Sequence, residues 1–195
     1  MPQVPFATLV ESVRAGTHLA SFPTDTVPAL AAKPDRANLI YTAKQRSLDK
    51  PLILMASEIE ELWQYVTGSD RELETWNTIA KQYLPGALTL VLPANDRVPA
   101  AMNPADPTTI GVRVPNHSIA RQILAKTGAL ATTSANRSGQ PALLSMAEIA
   151  AEFPEVLILE SNSDEVASGT PSTVAKWTGD GWQILRQGAI DLKEA

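Results

Sequence analysis

The sequence contains no cysteine, which excludes disulfide bonds and thiolate metal sites. Histidine is nearly as scarce. His18 and His117 are the only two, too few and too far apart in sequence to build a zinc site. Long apolar runs are missing as well. "LILM" and "LTLVL" fall far short of the roughly 20 residues that a membrane-spanning helix requires. The opening stretch "MPQVPFATLVESVRAG" has a helical rhythm and a glutamate but no basic n-region, so it does not read as a signal peptide. Basic charge is not in excess either. The formal net charge of -5 argues against broad, nonspecific nucleic-acid binding, though not against a local basic patch. What remains is a chain of 195 residues, 44% hydrophobic, enough for its own core. It reads as one domain, 1–195, of a soluble cytoplasmic protein.

Phe6, Leu9, Val10 and Val13 recur at helical spacing, with Gly16 placed to end the helix. "THLASF" then reads as a strand, and Asp35 is placed to cap a helix running to about Lys44. "PLILM" is a short buried strand. Capping-box spacing marks three further helix starts: Ser57 with Glu60, Ser69 with Glu72, and Ser145 with Glu148. Strand candidates are 88–92, 109–114, 129–133, 155–160, 172–177 and 182–186. Residues 162–171 form the best candidate for a flexible loop. Short apolar strands alternating with helices predict an α/β fold with a mixed sheet.

The polar clusters fall at strand ends, where ligands collect in α/β folds. "PTDT" (23–26) follows "LASF", "TTSANRSG" (132–139) follows "ALA", and "SGTPST" precedes "VAKW". Lys44, Arg46 and Lys50 sit between a helix and a strand, and suit phosphate oxygens. The plainer reading is that cations at a helix C-terminus complement its dipole. Arg113 and Arg186 lie in or beside apolar strands, where each needs a carboxylate or an anionic ligand. Ser134 and Asn136 could contact phosphate, carboxylate or base edges, or simply make a turn. Asp25 could bond its local backbone, and Ser172 could bind a ligand or cap the backbone. His117 in "VPNHSIA" reads as a helix start rather than a general base. No P-loop, G-x-G-x-x-G or G-x-S-x-G motif occurs, so a nucleotide would be held by scattered side chains.

Taken together, "FPTDTV", "KQRSLDKPLI", "LPGALTLVL", "GVRVPNH", "TTSANRSGQP", "PSTV" and "LRQGAI" resemble the YrdC/Sua5 family, the threonylcarbamoyl-AMP synthases. The resemblance runs from about residue 20 to 190, and its K-x-R, S-x-N and S-T-V elements are specific only jointly. It implies a twisted mixed sheet flanked by helices around a large, positively lined cavity, in the short form without the C-terminal Sua5 domain. It also implies a nucleotidyltransferase. The family condenses L-threonine, bicarbonate and ATP, with Mg²⁺, into threonylcarbamoyl-AMP and pyrophosphate. Partner proteins then use that adenylate to modify adenosine 37 of tRNAs that read ANN codons. By motif match, Lys44, Arg46, Lys50, Asn136 and Arg186 would face ATP. Thr24, Arg113, Ser134 and Ser172 would face threonine and the carbamoyl group. No protein side chain is expected to ligate the metal, and none is an obvious general base.

The sequence also departs from the family. "PTDTVPALA" has Pro28 and Ala29 where an aromatic residue and glycine are usual, and Ser47 stands where proline often follows the K-x-R arginine. The alternative is therefore a diverged paralogue that binds nucleotide, tRNA or double-stranded RNA without synthase activity.

Overall fold

The computed structural model describes residues 3–160 and 167–192. Among these residues ten strands form one mixed sheet: β1 (Gln3–Val4), β2 (Ala20–Phe22), β3 (Ala29–Ala32), β4 (Ile53–Met55), β5 (Leu88–Pro93), β6 (Thr109–Arg113), β7 (Leu130–Ser134), β8 (Leu157–Leu159), β9 (Thr173–Trp177) and β10 (Trp182–Arg186). Their order across the sheet is β1-β8-β2-β3-β7-β4-β6-β5-β9-β10. The described residues also form the helices α1 (Phe6–Ala15), α2 (Ala37–Lys44), α3 (Ile59–Leu62), α4 (Asp70–Tyr83), α5 (Ser118–Thr127) and α6 (Met146–Glu152).

Several local signals act as the sequence predicts. Gly16 takes φ 68° and ends α1, a conformation that costs glycine little. Ser69 with Glu72 and Ser145 with Glu148 form complete capping boxes at α4 and α6. His117 caps α5, its ring accepting from the Ala120 backbone N–H. Other expectations are corrected. Asp35 caps nothing: it lies inside a 3-10 turn, Pro34–Arg36, and α2 starts after Arg36 without a side-chain cap. Ser57 is likewise too early, because α3 begins after Glu58 and Ser57 bonds the Glu61 carboxylate instead. Of the loop predicted at 162–171, residues 162–166 lie outside the described residues.

Strand alternation divides the side chains between two faces. On one face, Leu54, Leu90, Ile110, Val112 and Ala131 pack beneath Ile40 of α2 and Trp76 and Ile79 of α4. On the other, α1 and α5 cover Ala20, Phe22, Ala31 and Leu130 with Leu9, Val13, Ile123 and Leu124. That second cover stops short. From β7 to β9 the same face is the floor of an open cavity.

Candidate functional site

The cavity holds about 660 Å³. Its floor follows the period of two: Thr132 and Ser134 from β7, Ile53 and Met55 from β4, Thr109, Gly111 and Arg113 from β6, Thr89 and Val91 from β5, and Val174 and Lys176 from β9. Ser172, Asn136, Arg46 and Arg186 join from the loops and from β10.

Gln45 leaves α2 at φ 50° and turns the chain so that Arg46 reaches the cavity. Arg46 Nε donates to the Lys50 carbonyl (3.0 Å) and Nη2 to the Pro51 carbonyl (3.0 Å). Arg186 donates Nε and Nη2 to the Ser172 carbonyl (3.1 and 2.8 Å) and Nη2 to the Ser172 hydroxyl (3.2 Å). That hydroxyl also meets Thr89 Oγ1 at 2.9 Å. Arg113 is differently placed. It is buried, with Nη2 2.7 Å from Asp25 Oδ1, Nη1 on Thr26 Oγ1 (2.9 Å) and Nε on the Gly86 carbonyl (3.0 Å). Asp25 therefore supplies the carboxylate that a buried arginine needs, and not a local turn contact.

Burial pushes all three guanidiniums below their usual pKa, and the charge of Arg186 lowers Arg46 and Arg113 further. Tyr41 and Asp49 offset part of this for Arg46. Among the described residues, Arg46 and Arg186 form no ion pair. Like charges converging without ion-pair partners are costly unless an anion joins them.

The remaining motif residues divide. Ser134 and Asn136 line the cavity, but Asn136 is fully engaged: Oδ1 accepts from Ser134 Oγ (2.6 Å) and Lys44 Nζ (3.1 Å), and Nδ2 donates to the carbonyls of Arg137 (2.9 Å) and Gln140 (2.6 Å). Lys44 is 1% exposed and stands behind the lining, donating also to the Ser134 carbonyl. Burial first, then Arg46, lower its pKa to about 7. Thr24 is buried with Oγ1 donating to the Val27 carbonyl (2.7 Å), and its neighbour Thr26 is the one on the lining. The Lys50 side chain is exposed and off the lining.

The clusters "PTDT" and "TTSANRSG" contained Thr26 and Thr132 without giving either a role of its own, and sequence reasoning passed over Asp49, Thr89, Asp106, Thr109, Gly111 and Lys176; all line the cavity. Thr109 and Gly111 share the parity of Arg113 on β6, and Thr132 that of Ser134 on β7, which was the available signal; Thr89 and Lys176 lie on other strands. Ala29 lines the cavity in strand conformation with no positive φ, so its backbone does not require glycine. Pro28 precedes the strand, and its carbonyl accepts from the Ala135 N–H (2.9 Å). Among the described residues, Asp49 and Asp106 are the only carboxylates on the lining, and no cluster of three metal-ligating side chains occurs. Nor, among them, is any helix long and apolar enough to cross a membrane.

Comparison with known proteins agrees with this geometry. A family model for Sua5, YciO and YrdC, described as "Telomere recombination", matches residues 12–188. The threonylcarbamoyl-AMP synthase of Pyrococcus abyssi is 34% identical over 180 residues, covering 90% of this chain and 52% of that protein. That of Chromohalobacter salexigens is 35% identical over 163 residues, covering 78% and 82%. The chain spans about half the length of the first relatives it matches, 52% and 51% for the Pyrococcus abyssi and Bacillus subtilis proteins. Among solved structures, P. abyssi Sua5 complexed with L-threonine superposes with a TM-score of 0.82 at 32% identity, over 94% of this chain and 54% of that one. E. coli YciO gives 0.82 at 25% identity, over 98% and 95%. With a family model over residues 12–188, relatives above 30% identity and a shared fold, the chain belongs to the Sua5/YciO/YrdC family.

Proposed function

We propose that this chain is an L-threonylcarbamoyl-AMP synthase, a nucleotidyltransferase. The observation that carries the reading is the convergence of Arg46, Arg113 and Arg186 on one cavity, with Arg46 and Arg186 lacking ion-pair partners among the described residues. Relatives bear that enzyme's name, and one was crystallised with L-threonine.

In this reading the threonine nitrogen takes up the carbon of bicarbonate, water leaves, and the resulting carbamate attacks the α-phosphorus of ATP. Pyrophosphate departs as the new O–P bond forms. Arg46 and Arg186 hold the phosphates and the charge that grows on them. Mg²⁺ would come with ATP and offset the phosphate charge; Asp49 and Asp106 are the carboxylates on the described lining. Ser172 and Ser134 offer hydroxyls to threonine and the carbamoyl group. Arg113 keeps N–H groups beyond those given to Asp25, Thr26 and Gly86, and these would meet the threonine carboxylate. Lys44 acts from behind and Asn136 from the lining, together fixing Ser134, and Thr24 fixes the loop that carries Thr26. Lys50 would meet ATP only from outside the lining. Catalysis is then positioning and electrostatics, without a protein general base. The product would pass to the proteins that modify tRNA.

Pro28 and Ala29 support the second reading, since the missing ring removes a wall beside Ala29 on the lining. Such a paralogue keeps the nucleotide site and takes another acceptor or RNA. The deciding experiment supplies ATP, Mg²⁺, L-threonine and labelled bicarbonate, and seeks labelled threonylcarbamoyl-AMP by mass spectrometry. Product that requires every substrate and falls by about 100-fold or more in Arg46→Ala is expected, given what one charge-stabilising group contributes. ATP binding without product would overturn the synthase reading, and salt-sensitive RNA affinity would then favour the paralogue.

A further inference from the structure

The carbonyls of the last turn of α2, from Tyr41 to Lys44, all find donors beyond the helix. A helix end leaves such carbonyls without internal partners. Two are closed by the chain as it leaves: Arg46 N–H donates to the Tyr41 carbonyl (2.9 Å) and Gln45 N–H to that of Thr42 (3.2 Å). The other two are closed by the loop after β7. Arg137 Nη1 donates to the Ala43 carbonyl, and Ser138 N–H to that of Lys44 (3.3 Å).

The turn held in this way is strained. Gln45 takes φ 50°, and among the described residues it is the one non-glycine with a positive φ. A side chain in that region persists only where its surroundings fix it. Arg137 is itself well anchored. Its Nε donates to Glu152 Oε1 (2.6 Å), its Nη2 donates to the Glu152 carbonyl (2.9 Å), and its Cζ lies 4.7 Å from the ring centroid of Phe153. Glu152 ends α6, so a guanidinium fixed on one helix reaches the C-terminus of another, whose partial negative charge suits a cation.

Arg137 is off the cavity lining, whereas Arg46, two residues beyond α2, is on it. Arg46 forms no ion pair among the described residues and is held by the carbonyls of Lys50 and Pro51 in its own loop. Where its guanidinium points therefore depends on how the end of α2 is fixed. We infer that Arg137 is a positioning residue for phosphate binding: from outside the cavity it holds the end of α2 and the turn at Gln45, and so aims Arg46. The inference rests on the reading of Arg46 as a phosphate ligand.

The test is calorimetric titration of inorganic triphosphate and L-threonine into wild type and variants, below the melting transition of each. Arg137→Met should weaken triphosphate about tenfold, which is about 1.4 kcal/mol, and leave threonine within about twofold. Arg137→Lys keeps a cation for the Ala43 carbonyl and should recover most of the loss. Glu152→Ala removes the half-exposed ion pair but neither carbonyl contact, so triphosphate affinity should hold to within about twofold. Should Arg137→Met not fold, Arg137→Gln takes its place, because its amide keeps one contact; a loss of about threefold that spares threonine is then required. Unchanged triphosphate affinity, an equal loss for threonine, or an equal loss in Glu152→Ala overturns the assignment. If Arg46→Ala abolishes triphosphate binding while the Arg137 variants do not weaken it, the assignment falls and the synthase reading stands. If wild type binds neither ATP nor triphosphate, both fall.

Discussion

Lys44 sits at the end of α2 behind the cavity lining, its ammonium held by Asn136 and the Ser134 carbonyl. Burial lowers its pKa to about 7, against a value near 10.4 in the unfolded chain. Between those values the unfolded state binds a proton that the folded state does not, so stability rises with pH across the window. Below pH 7 both states are protonated and the burial cost is fully present. Lys44→Met should therefore flatten the rise in denaturant midpoint from pH 7 to 10, an effect on the order of a few kcal/mol in wild type. Arg113 poses the opposite case. Asp25→Asn leaves its guanidinium buried without a countercharge, and urea denaturation should show a loss of about 3–5 kcal/mol. Thr24, Lys44 and Lys50 were legible as members of a polar constellation but not as residues behind or outside the cavity. Parity and packing against non-local strands decide that placement. The Asp25–Arg113 pair was unreadable for the same reason, its partners lying 88 positions apart.

The elements separate local signals from non-local ones. The boxes at α4 and α6 need only four consecutive residues, and both formed as spelled. Ser69→Ala should cost about 1 kcal/mol in denaturant melts. Asp35→Ala should change stability by less than about 0.5 kcal/mol, because its one ion pair, 3.8 Å to Lys33, is exposed. β3 shows the limit of the sequence. "ALAA" has neither alternation nor β-branched residues, and alanine is depleted in strands. It is a strand because β2 and β7 pair with it on both sides and both its faces are buried. The mixed α/β class, by contrast, followed from the spacing of apolar runs, which tertiary context did not override.

At the scale of the whole molecule, the cavity is a surface that helices leave uncovered, and its charge is uneven. Arg46, Arg113, Arg186 and Lys176 face Asp49 and Asp106 there, although the chain as a whole is acidic. Inorganic triphosphate should therefore raise the melting temperature, and added salt should diminish the rise. Arg186→Ala should abolish most of it.

Sheet order carries one more consequence, for the time at which the protein becomes competent. β5 pairs with β9, Leu88 with Thr173, and β9 in turn with β10, which delivers Arg186. A chain emerging from the ribosome thus completes Arg46, Arg113 and the β4–β7 part of the floor long before Ser172 and Arg186 exist. Until the β9–β10 hairpin docks, the phosphate grip lacks one jaw, and a chain stalled before it presents a half-built cleft. Triphosphate binding is in this sense a readout of whether that hairpin has docked.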